Sequence, residues 1–153
     1  MITSWRVVKT KFSADAFSGE GPRLFGGRWN SPGVRMVYTS GSVALATLEL
    51  LVHLNSIGPL PGFSICSVEF DDSLVESIDR SRLPSDWYQS PPPTNVQAIG
   101  DEWISRASSV VLEVPSAVIS LENNYLVNPG HKDFNRLRLG RMKPFNLDGR
   151  LIS

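Results

Sequence analysis

The stretch FGGRWNSPGVRMVYTS, residues 25–40, sets two adjacent glycines before an Arg-Trp-Asn triplet, breaks at Ser-Pro-Gly and then runs into an alternating apolar segment. In VRMVYTS, Val34, Met36 and Tyr38 share one face by period-two alternation while Arg35, Val37 and Thr39 share the other, which predicts a strand entered through a tight turn. Gly26 and Gly27 permit backbone conformations that other residues resist, and they would let a ligand approach the main chain just before Arg28. Arg28 carries a planar fork of donors suited to phosphate or carboxylate. The segment fits neither a P-loop nor the spacing G-x-G-x-x-G. A plain turn, with a solvated arginine and Trp29 closing the core, stands beside the ligand-binding reading.

Immediately downstream, SVALATLELLVHLN, residues 42–55, reads as a helix capped by Ser42, with Gly58 and Pro59 beyond its end. Leucines and valines cover nearly its whole circumference, so the helix is expected to be buried rather than amphipathic. Glu49 is conspicuous there. A carboxylate among apolar residues has to be paired, hydrogen-bonded or turned to a cavity; a surface pair with His53, four residues on, is the alternative. Upstream, residues 5–8 predict a first strand bearing Arg6, followed by a polar connection over 13–28. Further on, 63–70 predicts a third strand and 78–93 a long loop whose prolines favour extended structure. Thr94 and Gln97 form a capping box opening a helix to about Ser105. Strands are expected at 109–114, 124–127 and 145–147, with Asp148-Gly149 as the tight turn of a terminal hairpin. Strands outnumber helices and the helices do not interleave regularly, which predicts one mixed α+β domain over residues 1–153.

Fifteen basic and fifteen acidic residues give a net charge of zero, so the chain lacks the basic footprint of a duplex-binding domain. Its single cysteine, Cys66, excludes a disulfide framework and is expected to be a buried thiol. His131 has no histidine or cysteine partner at metal-ligand spacing, so no metal site is expected. The N-terminus lacks the apolar core of a signal peptide and no run approaches the length of a membrane span, which predicts a soluble cytoplasmic protein.

Four residues then stand in suggestive order: Arg6 on a first strand, Arg28 in the glycine turn, Tyr38 on the next strand and Glu49 in the following helix. Together they could form one pocket. Taken singly, Arg6 reads equally as an edge-strand solubiliser and Tyr38 as an ordinary sheet aromatic. Ser116, in VPSAV, has no G-x-S-x-G context, so a positioning hydrogen bond suits it better than a nucleophilic role. ENNYLVNPGHKDF, residues 122–134, is a second polar cluster for which a short strand ending at an Asn128-Pro129 turn is sufficient.

Through GEGPRLFGGRWNSPG, VYTSGSVALATLELLVH, GDEW, VPSAV and NYLVNPGHKDF, in that order along nearly the whole chain, the sequence resembles the RES-domain family, the toxin half of RES–Xre toxin–antitoxin pairs. The naming arginine, glutamate and serine map onto Arg28, Glu49 and Ser116. Pro22 departs from the small residue the resemblance leads one to expect there. The resemblance implies a split β-sandwich with peripheral helices, similar to diphtheria-toxin-type ADP-ribosyltransferases. It implies that NAD is consumed as a substrate, most simply by phosphorolysis to nicotinamide and ADP-ribose-1''-phosphate, with inorganic phosphate as co-substrate and no resident cofactor. Transfer of ADP-ribose to a protein and hydrolysis by water remain open as alternatives. Arg28, Tyr38 and Glu49 would be catalytic; Arg6, Gly27, Arg28, Tyr38, Ser116 and Asn128 would bind NAD or phosphate. An Xre-type antitoxin would occlude the site and provide any link to DNA, a homodimer stays open, and no membrane partner is implied. A catalytically silent binding domain and a ribonuclease are weaker readings, the latter for want of a basic face and a histidine pair.

Overall fold

The computed structural model describes residues 1–54 and 59–152; the expected helix end at Asn55 and the stop at Gly58 lie outside the described residues. Among the described residues eight strands form one hydrogen-bonded sheet: β1 (Ile2–Lys9), β2 (Val37–Ser40), β3 (Phe63–Phe70), β4 (Val75–Ser77), β5 (Val111–Pro115), β6 (Asn123–Val127), β7 (Arg138–Leu139) and β8 (Lys143–Phe145). Their order is β4-β5-β6-β2-β1-β3-β7, with β8 also paired to β3, and β4 runs parallel to β5 while the other pairs are antiparallel. β1 and β3 are in register from Ile2↔Phe70 to Lys9↔Phe63, whereas β1 meets β2 at the single pair Trp5↔Ser40. The sheet is thus two wings joined by a narrow seam.

Alternation along the strands divides the core between the two faces. Val37, Val68, Phe70, Val111 and Val127 pack on one face; Met36, Leu112, Val114 and Leu126 pack on the other with Trp29, Val96 and Trp103. The face assignment read from VRMVYTS holds, since Met36 and Tyr38 belong to the second cluster and Val37 to the first. Cys66 is free and buried, as its sequence context predicts.

Among the described residues three α-helices flank the sheet: α1 (Glu20–Phe25), α2 (Val43–Leu51) and α3 (Thr94–Arg106). Ser42 caps α2 by accepting from the Leu45 N–H at 3.0 Å. Contrary to expectation α2 is not buried all round. It lays Leu45 and Ala46 against the sheet and leaves Leu48 and Val52, one turn apart, exposed. α1 was not foreseen: with six residues between Gly19 and Gly26, both at φ +74°, it is too short to show an apolar period. Pro22 sits in its first turn, where its missing N–H costs little, and its carbonyl accepts from the Gly26 N–H and from Asn30 Nδ2.

Two further expectations are corrected. Pro93 occupies the cap position of α3 and Thr94 is already helical, so no capping box forms; Gln97 instead donates across to the Gly27 carbonyl at 2.9 Å. There is no terminal hairpin at Asp148-Gly149 either. Asp148 accepts from the Arg150 N–H at 2.9 Å and caps a short 3-10 turn, Gly149–Leu151, while the last strand falls earlier, at 143–145. An aspartate satisfying the next N–H but one offers the backbone a local alternative to strand pairing.

Candidate active site

The glycine pair works as two separate devices. Gly26 ends α1 at φ +74° and ψ 172°, a conformation open almost to glycine alone, and Gly27 is a glycine because a β-carbon there would lie 2.5 Å from the Tyr38 hydroxyl and 2.9 Å from Asn30 Oδ1. The close approach that Gly27 permits is therefore made by the protein's own tyrosine. The Tyr38 hydroxyl donates to Asn30 Oδ1 at 2.5 Å and accepts from the Trp29 N–H at 3.1 Å, while Asn30 Nδ2 is held by the carbonyls of Pro22, Ser31 and Val34. From α3, Asp101 accepts from both the N–H and the hydroxyl of Ser31, and Gly100 lets the helix rest on the Trp29 backbone. Trp29 and Asn30 are almost completely buried. The turn is clamped on every side, and Arg28 projects from it.

Arg28 Nη1 donates to the carbonyls of Trp87 and Gln89, at 2.9 and 2.8 Å, pinning the loop between β4 and α3. Its Nε and Nη2 make no hydrogen bond to any described residue. Burial pushes the guanidinium below its ordinary value, and the Glu49 carboxylate and Tyr38 pull it back, which places Arg28 in the field of both. Burial likewise pushes the Tyr38 hydroxyl well above the ordinary tyrosine range. Being doubly bonded as well, that hydroxyl is a buttress for the turn and is poorly placed to exchange protons.

Glu49 is the second node. Its Oε1 accepts from Ser116 Oγ at 2.7 Å and from Asn124 Nδ2 at 2.8 Å. Ser116 is fully buried, and its oxygen also accepts from the N–H groups of Val118 and Ile119 at 3.1 and 3.0 Å. A hydroxyl with both lone pairs filled has one proton left to direct, and here it points to the carboxylate. The structure thus resolves the sequence alternatives for Glu49: it is hydrogen-bonded into the sheet from α2, and it is not a surface partner of His53. Asn124 is a residue that sequence reading passed over. Its signal was the alternation of β6, which puts Asn124 and Leu126 opposite Ser40 and Tyr38, on Tyr38's face.

Arg6 and Asn128 are not brought to this cluster. Thr39 donates to Ser4 Oγ, so Ser4, and by alternation Arg6, lie on the sheet face opposite Tyr38 and Asn124. Arg6 is committed to the carbonyls of Ala16 and Tyr38, at 2.5 and 2.9 Å; burial lowers its pKa to about 10, with the facing Cys66 opposing the shift, and it remains a cation at neutral pH. It holds β1 to β2 where the ladder is thinnest. Asn128 lies four residues beyond Asn124, about 13 Å along an extended chain, where its Oδ1 accepts from the Gly130 N–H. His131 is neither ligand nor surface residue: its Nδ1 accepts from the Asp133 N–H at 3.0 Å, so Nε2 carries the proton that goes to the Ala107 carbonyl at 2.9 Å. Among the described residues no group of three histidines, cysteines or carboxylates could hold a metal ion, and no helix is long and apolar enough to cross a membrane.

A mixed sheet of two wings, carrying a clamped arginine turn and a doubly tethered glutamate whose carboxylate acts on that arginine through its field, defines an α+β protein. Residues 3–148 match the RES domain. The chain is 38% identical over 149 residues to "Toxin Res" of Photorhabdus laumondii, covering 97% of this chain and 96% of that one. It is 35% identical over 159 residues to the "Prs ADP-ribosylating toxin" of a Sphingobium species, covering 99% and 98%. Its fold is similar to that in the crystal structure of the M. tuberculosis MbcT–MbcA toxin–antitoxin complex, with a TM-score of 0.75 at 19% identity over 94% of this chain and 84% of that one. The protein belongs to the RES-domain family.

Proposed function

We propose that this protein is the toxin of a toxin–antitoxin pair and that it consumes NAD by phosphorolysis. The observation that carries the reading is the Glu49 carboxylate, fixed through Oε1 by two donors and set in the field of Arg28. Breaking the bond between nicotinamide and ribose sends the electron pair to a neutral leaving group and leaves positive charge on the ribose; a preorganised carboxylate stabilises that charge. An oxygen of inorganic phosphate then bonds to the anomeric carbon, giving nicotinamide and ADP-ribose-1''-phosphate. Nε and Nη2 of Arg28 suit an anion, phosphate or the NAD pyrophosphate. Arg6, on the opposite face, plays no part in this revised anion site. The two-winged sheet supports the split β-sandwich of diphtheria-toxin-type ADP-ribosyltransferases, with Tyr38 beside the nicotinamide.

Transfer to a protein acceptor is the second reading, favoured by the relative named as an ADP-ribosylating toxin. The neighbouring toxin–antitoxin complex supports a partner antitoxin for this chain; we take that partner to be of Xre type and to cover Arg28. The test is to incubate the purified protein with NAD, with and without inorganic phosphate, and to identify products by mass spectrometry. Phosphate-dependent release of nicotinamide and ADP-ribose-1''-phosphate supports the reading; free ADP-ribose regardless of phosphate, or no turnover, refutes it.

A further inference from the structure

Resting on the reading of Glu49 as the charge-stabilising group, we infer that Asn124 is a positioning residue for the reaction, acting through that carboxylate. Asn124 Nδ2 donates to the same Oε1 that receives the Ser116 hydroxyl, at 2.8 and 2.7 Å. The two donors come from different places, the strand β6 and the start of the loop after β5, and they converge on one oxygen. Two bonds anchor Oε1 from two directions of the fold, and leave Oε2 without a bond to any described residue.

The amide's orientation is not arbitrary. Turned over, it would set its carbonyl oxygen against Glu49 Oε1, two acceptors with no proton between them. In the orientation that satisfies Glu49, Asn124 Oδ1 is buried and has no hydrogen-bond partner among the described residues. An apolar side chain would fill the place without that cost, because neighbouring inward positions on the same strand face, Val114 and Leu126, are fully buried aliphatics. A half-satisfied amide kept next to the one carboxylate of an apolar-lined helix is a local sacrifice explained by what its other half holds.

The test is a double-mutant cycle in kcat for NAD turnover with inorganic phosphate, using Asn124→Ala, Glu49→Gln and both together. Losing one donor to a charged acceptor predicts that Asn124→Ala lowers kcat about 10- to 100-fold with little change in KM. In the Glu49→Gln background the same substitution should change nothing further, since a residue that acts only through the carboxylate has nothing left to act through. Asn124→Asp, of the same volume but presenting an acceptor to Glu49, should be at least as damaging, and it serves the same cycle if the alanine variant does not fold. Wild-type kcat in Asn124→Ala, or a loss that simply multiplies with that of Glu49→Gln, overturns the inference. Wild-type protein that does not turn over NAD overturns the underlying functional reading instead, and the inference with it.

Discussion

Replacing Ser116 by alanine separates two roles that the same residue could hold. Its oxygen makes three bonds: a proton to Glu49 at 2.7 Å and acceptance from Val118 and Ile119 at 3.1 and 3.0 Å. Alanine removes a charge-assisted donor and strands two N–H groups beside a fully buried position. With about 1.5–3 kcal/mol for a bond to a charged group and about 1–3 kcal/mol for unsatisfied buried donors, partly relieved by local shifts, a net loss of about 2–4 kcal/mol is expected. For a chain of this size that lowers Tm by roughly 5–15 °C. Because Asn124 still holds Oε1, NAD turnover should fall only about 10- to 100-fold. Thermal denaturation and steady-state kinetics on one preparation read both numbers. A covalent nucleophile would behave oppositely: removing it costs on the order of a million-fold in kcat with no requirement for a large drop in Tm. That outcome would refute the positioning role.

Arg28→Lys should weaken NAD and phosphate binding roughly tenfold or more, because an ammonium cannot bridge two carbonyls and also present a second edge to an anion; unchanged affinities by calorimetry would reassign Arg28 to the turn alone. Gly27→Ala should cost about 1–3 kcal/mol by overpacking against Tyr38, whereas Gly21→Ala, where a β-carbon meets nothing within 4 Å, should be neutral or stabilise α1; equal Tm values for the two variants would contradict this. Alkaline stability follows from the tyrosines. Burial raises Tyr38, and burial followed by the Glu113 hydrogen bond raises Tyr125 to about 12. Above the unfolded value of about 10 the native state holds protons that the unfolded chain has lost, so stability is fully present below that pH and declines as pH rises beyond it. Tyr125→Phe should flatten the decline in Tm above about pH 10, and a limb of unchanged steepness would show that this tyrosine is not its source.

Period-two alternation alone placed Met36 and Tyr38 on one face and Val37 on the other, and the cap at Ser42, the strand at 63–70 and the helix from Thr94 were local enough to read directly. These features depend on neighbours a few residues apart, where propensity and periodicity act. The ordered motifs likewise carried Arg28, Glu49 and Ser116 as a set. What no local rule contained was which side of the sheet each polar residue would face once the strands were paired. Arg6 looked like a second anion contact until Ser4 and Thr39 met across the seam and turned it to the far face. Asn128 read as a member of the same polar cluster as Asn124, yet four residues of extended chain separate them, and only Asn124 reaches Glu49, 75 positions away. Gly27 was read as room for a ligand and proved to be room for Tyr38. Short-range sterics and hydrogen bonding are written in consecutive residues, whereas the site is made of contacts between α2, β2, β5 and β6 that exist only after the sheet has chosen its order.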